Sequence, residues 1–222
     1  MNFDDHRIIK DYFDKLECWK CLPAYKLETR IDSIVGFALP EIIKDVKGYS
    51  VRAVIPELPL RVGTLEKLNE DEKKKKENRS YKVDFYVLTE CHKNLFIEFK
   101  SDSNSRNDEQ DRYLEGAIGK GMKKVLGGII DLASVSTYEE KYQYLLGTLH
   151  NFGLVKRENG NIHPTPRYSK IDRIYIQPHE LKGDDPKNTI YYQTLADSIS
   201  RCYKGSELME RFAGSIMEWS TD

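Results

Sequence analysis

Apolar residues return every three to four positions from Asp4 to Glu17, with Ile8, Ile9, Tyr12, Phe13 and Leu16 on one face. That period predicts an amphipathic helix over residues 4–17. A second helical stripe follows Thr29, carried by Ile31, Ile34, Val35, Ala38, Leu39, Ile42, Ile43 and Val46, with Pro40 predicting a kink or restart and Gly48 a stop. YSVRAVIPELPL then takes on β character, which Pro56 and Pro59 confine to an edge or short strand. NEDEKKKKENRS has few apolar positions and reads as a mobile loop.

From Tyr81 to Asp102 the period changes to two: YKVDFYVLTECHKNLFIEFKSD predicts a β-hairpin. A turn centred near Cys91 gives paired residues a constant index sum of about 182, which sets Asp84 opposite Glu98. Lys100 falls on the same face as Glu98, and the opposite face carries Val83, Phe85, Val87, Leu95, Ile97 and Phe99. Two acids and a lysine inside apolar strands need an account, because burying charge is costly and opposed carboxylates repel. Such a pair is stable when exposed, protonated or bound to a cation. The plain alternative is an edge hairpin whose charged face is simply solvated.

After a polar connector, SDSNSRNDEQ, helical spacing resumes through Tyr113, Leu114, Ala117, Ile118, Met122, Val125, Leu126, Ile129 and Ile130, with glycines that can break it in two. GAIGKGMKK lacks the spacing of a phosphate-binding loop. A helix near 138–154, a turn-rich stretch with Pro164 and Pro166, a strand IDRIYIQP and helices near 191–201 and 207–219 complete the order. Helices on either side of a small mixed sheet predict an α/β sandwich, one domain over 1–222.

Composition narrows the function classes. The net charge is −1, so there is no global basic field of the kind dedicated DNA-binding domains carry. No run approaches the ~18 apolar residues that span a bilayer, and the acidic start does not resemble a secretory signal, so a cytoplasmic protein away from membranes is expected. Cys18 and Cys21 form a CxxC, but no second pair completes a zinc set, and incidental packing cysteines are expected. The four lysines 73–76 are flanked by Glu70, Asp71, Glu72 and Glu77, which cancel their field.

D-x(13)-E-x-K, with Asp84 on VDFYV and Glu98-Phe99-Lys100 on LFIEFK, resembles the PD-(D/E)XK nuclease superfamily, the restriction-endonuclease-like fold. The resemblance implies an α-β-β-β-α-β core over about 29–177, with the helix at 4–17 and helices over 189–219 as additions. It implies Mg²⁺, or Mn²⁺ in its place, held by Asp84, Glu98 and the carbonyl of Phe99. Lys100 assists the attacking water, and Gln110 stands where some branches place a DNA-contacting or site-ordering glutamine. That signature is Q-x(3)-Y, whereas Gln110 and Tyr113 are three apart, and Tyr113 fits a core aromatic equally well. Val83 replaces the motif proline, and the first-helix acid is open among Glu28, Asp32 and Glu41. The expected function is a metal-dependent nuclease hydrolysing phosphodiester bonds, most simply in DNA. Two other readings stand beside it: a non-catalytic nucleic-acid-binding or regulatory module, and an interaction protein forming a homodimer or larger homo-oligomer.

Overall fold

The first two predicted helices form nearly where the apolar stripes place them. In the computed structural model, which describes residues 5–20, 22, 26–101 and 108–219, α1 is Asp5–Lys20 and α2 is Glu28–Lys47. Helix α2 runs without a break through Pro40, its stripe of Ile31, Val35, Ala38, Leu39, Ile42 and Ile43 buried on both sides of the proline. Burial of that stripe outweighs one lost backbone hydrogen bond, so the expected restart does not occur. Gly48 ends the helix at φ 71°, its N–H donating to Lys44 O, a left-handed cap that glycine adopts without steric cost.

Strand β1 is Val51–Arg61, followed by short helices α3, Val62–Leu65, and α4, Glu70–Lys76. Helix α4 corrects the expectation of a loop. Asn69 accepts from the Glu72 N–H at 2.9 Å, and Glu72 returns the bond to the Asn69 N–H at 3.1 Å, a capping box. Acids fill its first turn and lysines its last, which complements the helix dipole. A segment with no buried residue is therefore helical for local reasons that hydrophobic period cannot register.

β2 is Ser80–Thr89 and β3 is Asn94–Phe99, antiparallel, pairing Phe85 with Ile97, Tyr86 with Phe96, Val87 with Leu95 and Leu88 with Asn94. This is the predicted register. The long helical stretch divides into α5, Asp108–Lys120, and α6, Met122–Val135, at Gly121, whose φ of 76° suits glycine. α7 is Glu139–Asn151. The turn-rich stretch holds a hairpin that the sequence reading missed, β4 (Val155–Glu158) with β5 (Asn161–Pro164), its turn made by Asn159 and Gly160 at positive φ. β6 is Ile171–Gln177, and β7, Thr189–Tyr191, leads into α8, Tyr192–Cys202, and α9, Glu207–Trp219.

The class is α/β: five strands form a mixed sheet in the order β1–β2–β3–β6–β7, with β6 and β7 parallel, and β4–β5 stand apart as a second sheet. β1 is an edge strand, as its prolines require, with Glu57 between them at φ 54°.

The chain divides into two compact units whose boundary falls inside β1, β3 and β6. One unit comprises Met1–Val54, Glu98–Arg106 and Ile174–Asp222. In it α1 packs on α9 and α2 on α8. Phe13 meets Phe212 at 6.1 Å between ring centroids, Arg211 pairs with Asp14 at 2.7 Å, and Arg201 with Asp45 at 2.6 Å. The other unit comprises Ile55–Ile97 and Asn107–Arg173. There Tyr113 of α5 stacks on Tyr81 of β2 at 4.6 Å and donates to Lys82 O at 3.0 Å, while Arg61 pairs with Asp131 of α6 at 3.0 Å. Tyr113 is 7% exposed, a core aromatic. Among the described residues, no helix is long and apolar enough to cross a membrane.

Candidate active site at the end of β3

All six residues of β3 are buried, so the strand is enclosed on both faces. Its neighbours are β2 and β6, which makes the hairpin interior to the sheet. The solvated-edge alternative therefore fails on two counts: the hairpin is not an edge, and Glu98 is 0% exposed. Among the described residues, Glu98 and Lys100 are the only buried charged side chains.

Strand alternation turns both toward one side, and Lys100 Nζ lies 3.3 Å from Glu98 Oε2. The ammonium thus offsets a carboxylate that could not stand alone in a dry interior. This adds a fourth way of tolerating Glu98 to the three that strand pairing suggests.

The main chain here is held as firmly as the side chains. Lys100 N–H donates to Ile176 O at 2.8 Å, carrying pairing with β6 one residue past β3. The Tyr192 hydroxyl donates to Lys100 O at 2.6 Å, and the Tyr192 ring stacks on Phe99 at 5.9 Å and 16°. Next along β6, Gln177 is 2% exposed and donates through Nε2 to Asp184 Oδ2 at 2.7 Å and His179 O at 2.8 Å, shaping the chain between β6 and β7. Neither Tyr192 nor Gln177 was singled out from sequence. The one available signal was that a tyrosine on the buried stripe of a helix must find its hydroxyl a partner.

The remaining candidates are distributed as follows. Glu98, Phe99 and Lys100 belong to the first unit, with Glu28 and Asp32 half-buried at the start of α2 and Glu41 exposed further along it. Asp84 and Gln110 belong to the second. Asp84 is half-buried on β2, one residue beyond the Phe85–Ile97 pair, as Glu98 is on β3. Gln110 is half-buried in the first turn of α5. Residues 102–107, most of the polar connector, lie outside the described residues, as does Cys21. Cys18, Cys91 and Cys202 are exposed thiols, so the expectation of packing cysteines in the CxxC is corrected for Cys18.

Among the described residues, no group of three or more His, Cys, Asp or Glu side chains is arranged to hold a metal ion. Two carboxylates with a main-chain carbonyl are a different donor set. Those are hard oxygen donors, the kind Mg²⁺ takes while water and substrate oxygens complete its shell. Glu98 and the Phe99 carbonyl in one unit are donors of that kind, and so is the Asp84 carboxylate in the other. No protein-family model, curated protein or solved structure matches this chain.

Proposed function

We propose that this chain is a divalent-metal-dependent nuclease of the PD-(D/E)XK type, hydrolysing phosphodiester bonds in DNA. The observation that carries the reading is the burial of Glu98 against Lys100 at 3.3 Å, at the end of a strand otherwise made of core residues. A buried ion pair contributes little net stability compared with apolar residues of the same volume. Departures from local packing logic concentrate where chemistry is done. The order α2, β1, β2, β3, α5–α6, β6, with β6 beside β3, is compatible with the core of that superfamily and adds support.

In this reading Asp84, Glu98 and the Phe99 carbonyl hold Mg²⁺ or Mn²⁺. When bound, the ion polarises the scissile phosphate and stabilises the leaving oxygen. Lys100 donates to the attacking water and offsets negative charge gathering on the phosphate oxygens. Glu98 aims the Lys100 ammonium, and Ile176 with Tyr192 fixes its backbone, so little reorganisation is needed during reaction.

The test separates chemistry from binding. Plasmid and single-stranded DNA cleavage is measured with Mn²⁺, and binding with Ca²⁺, for wild type and Lys100→Ala. Loss of one transition-state contact should lower turnover about 10²- to 10³-fold while changing affinity little. Wild type that binds DNA and cuts under no divalent ion would replace this reading with the non-catalytic module. Equal losses in binding and cutting would make Lys100 a phosphate contact instead.

A further inference from the structure

The turn-rich stretch after α7 carries a local excess of positive charge. Residues 155–170 hold Lys156, Arg157, Arg167 and Lys170 against one acid, Glu158, in a protein of net charge −1. Two of these cations are already committed, Lys156 to Glu158 and Lys170 to Asp172, each at 2.7 Å. Among the described residues, neither arginine is paired with an acid. Arg157 donates to the neutral Oε1 of Gln143 on α7 at 3.3 Å, and Arg167 lies over the Tyr168 ring at 5.9 Å.

Exposed aromatic rings accompany them. Tyr144, beside Gln143 on α7, is 81% exposed, and Tyr168 is 50% exposed. The backbone presenting Tyr168 is clamped from beneath. Asn94, 1% exposed, donates through Nδ2 to the carbonyls of Tyr168 and Lys170 at 2.9 Å each, and Met122 N–H donates to Ser169 O at 2.7 Å. A rigid loop offering cation and ring together loses little entropy when a partner arrives.

We infer that the β4–β5 hairpin, its continuation through Tyr168, and the outer face of α7 form a contact surface for single-stranded nucleic acid. Uncommitted arginines suit backbone phosphates, and exposed rings stack on bases whose faces are accessible only where the strand is unpaired. Glu139 and Glu140 lie in the first turn of α7, one turn before Gln143 and Tyr144. The lysine run on α4 makes the contrast, since Glu70, Asp71, Glu72 and Glu77 match its four charges.

The inference rests on the nucleic-acid half of the reading above, not on cleavage, so its test is done in EDTA. Anisotropy of a labelled mixed-sequence single-stranded oligonucleotide is followed over a salt series with the whole chain, with the duplex and a poly-glutamate peptide as comparisons. Arg157→Gln with Arg167→Gln should weaken binding and make the log–log salt slope shallower by about 1.4, at ~0.7 per phosphate contact. Tyr144→Ala with Tyr168→Ala should weaken it roughly five- to a hundredfold for each base unstacked, at every salt concentration and with the slope unchanged. Lys74→Gln with Lys75→Gln should bind as wild type. Arginine or tyrosine variants binding within twofold of wild type would overturn the inference even if wild type cuts DNA. Duplex or poly-glutamate bound as tightly as the single strand would also overturn it. Absence of cleavage in Mn²⁺ with these binding differences intact would remove the nuclease reading alone.

Discussion

Replacing Lys100 by Met removes the ammonium 3.3 Å from Glu98 Oε2 but keeps most of the side-chain volume. A carboxylate that is 0% exposed is then left without that counter-charge. Breaking a buried pair from one side costs about 3–5 kcal/mol, whereas replacing both partners with apolar residues of similar size ranges from neutral to about 4 kcal/mol stabilising. In a protein of this size each kcal/mol moves Tm by roughly 2–4 °C. Lys100→Met should therefore melt on the order of 6–20 °C below wild type, and Lys100→Met/Glu98→Leu should recover that loss or exceed wild type. Urea denaturation at neutral pH followed by circular dichroism measures both, with the double-mutant cycle giving the coupling directly. Cleavage should fall about 10²- to 10³-fold in Lys100→Met and by at least as much in the double variant. A coupling under about 0.5 kcal/mol would refute the argument, because the two charges would then not depend on each other in the fold. A double variant that is stable and still cuts would refute the catalytic assignment and leave the packing argument standing.

If Asp84 is a metal ligand, Mn²⁺ at a hundred times its dissociation constant should stabilise wild type by about 2.7 kcal/mol; Asp84→Ala should lose most of that increment while its metal-free Tm stays near wild type, and identical Mn²⁺ shifts in the two proteins would count against a carboxylate site. Tyr192→Phe keeps the stack on Phe99 but strips the donor from the Lys100 carbonyl. It should cost about 1–3 kcal/mol in denaturant titrations and lower cleavage more than DNA affinity. Gly121→Ala forces an L side chain into φ 76° with its Cβ 2.5 Å from Ser169 Oγ. A loss exceeding about 1 kcal/mol is expected in thermal denaturation, with the Met122 amide, which donates to Ser169 O, exchanging faster by NMR.

Much of the fold could be read in advance because its strongest signals are periodic. The register of β2 and β3 followed from alternation and a turn position, and a break in the long helical stripe followed from its glycines, though not that Gly121 would make it. Signals without a hydrophobic period escaped: the Asn69–Glu72 capping box that organises α4, and the β4–β5 hairpin whose outward residues are almost all polar. In the candidate site, the shared strand face of Glu98 and Lys100 was legible, but not their burial. Alternation assigns one face to solvent by default, whereas β3 lies between β2 and β6 and all six of its residues are buried. Tyr192 comes from sequence 92 residues away from Lys100, and no local pattern records such a meeting.

The edge strand β1 bears on how copies of this chain can associate. Pro56 and Pro59 have no N–H to offer, and Glu57 at φ 54° interrupts the extended run between them. An incoming strand would meet gaps in the ladder rather than a continuous row of donors and acceptors. At the other end of the sheet, β7 has three residues before the chain turns into α8. The sheet is thus closed to lengthening by a second copy at one border through missing donors and at the other through shortness. A homodimer is then left the helices, the loops and the separate β4–β5 hairpin to build on, and the same features guard a core rich in β-branched and aromatic residues against fibrillar stacking.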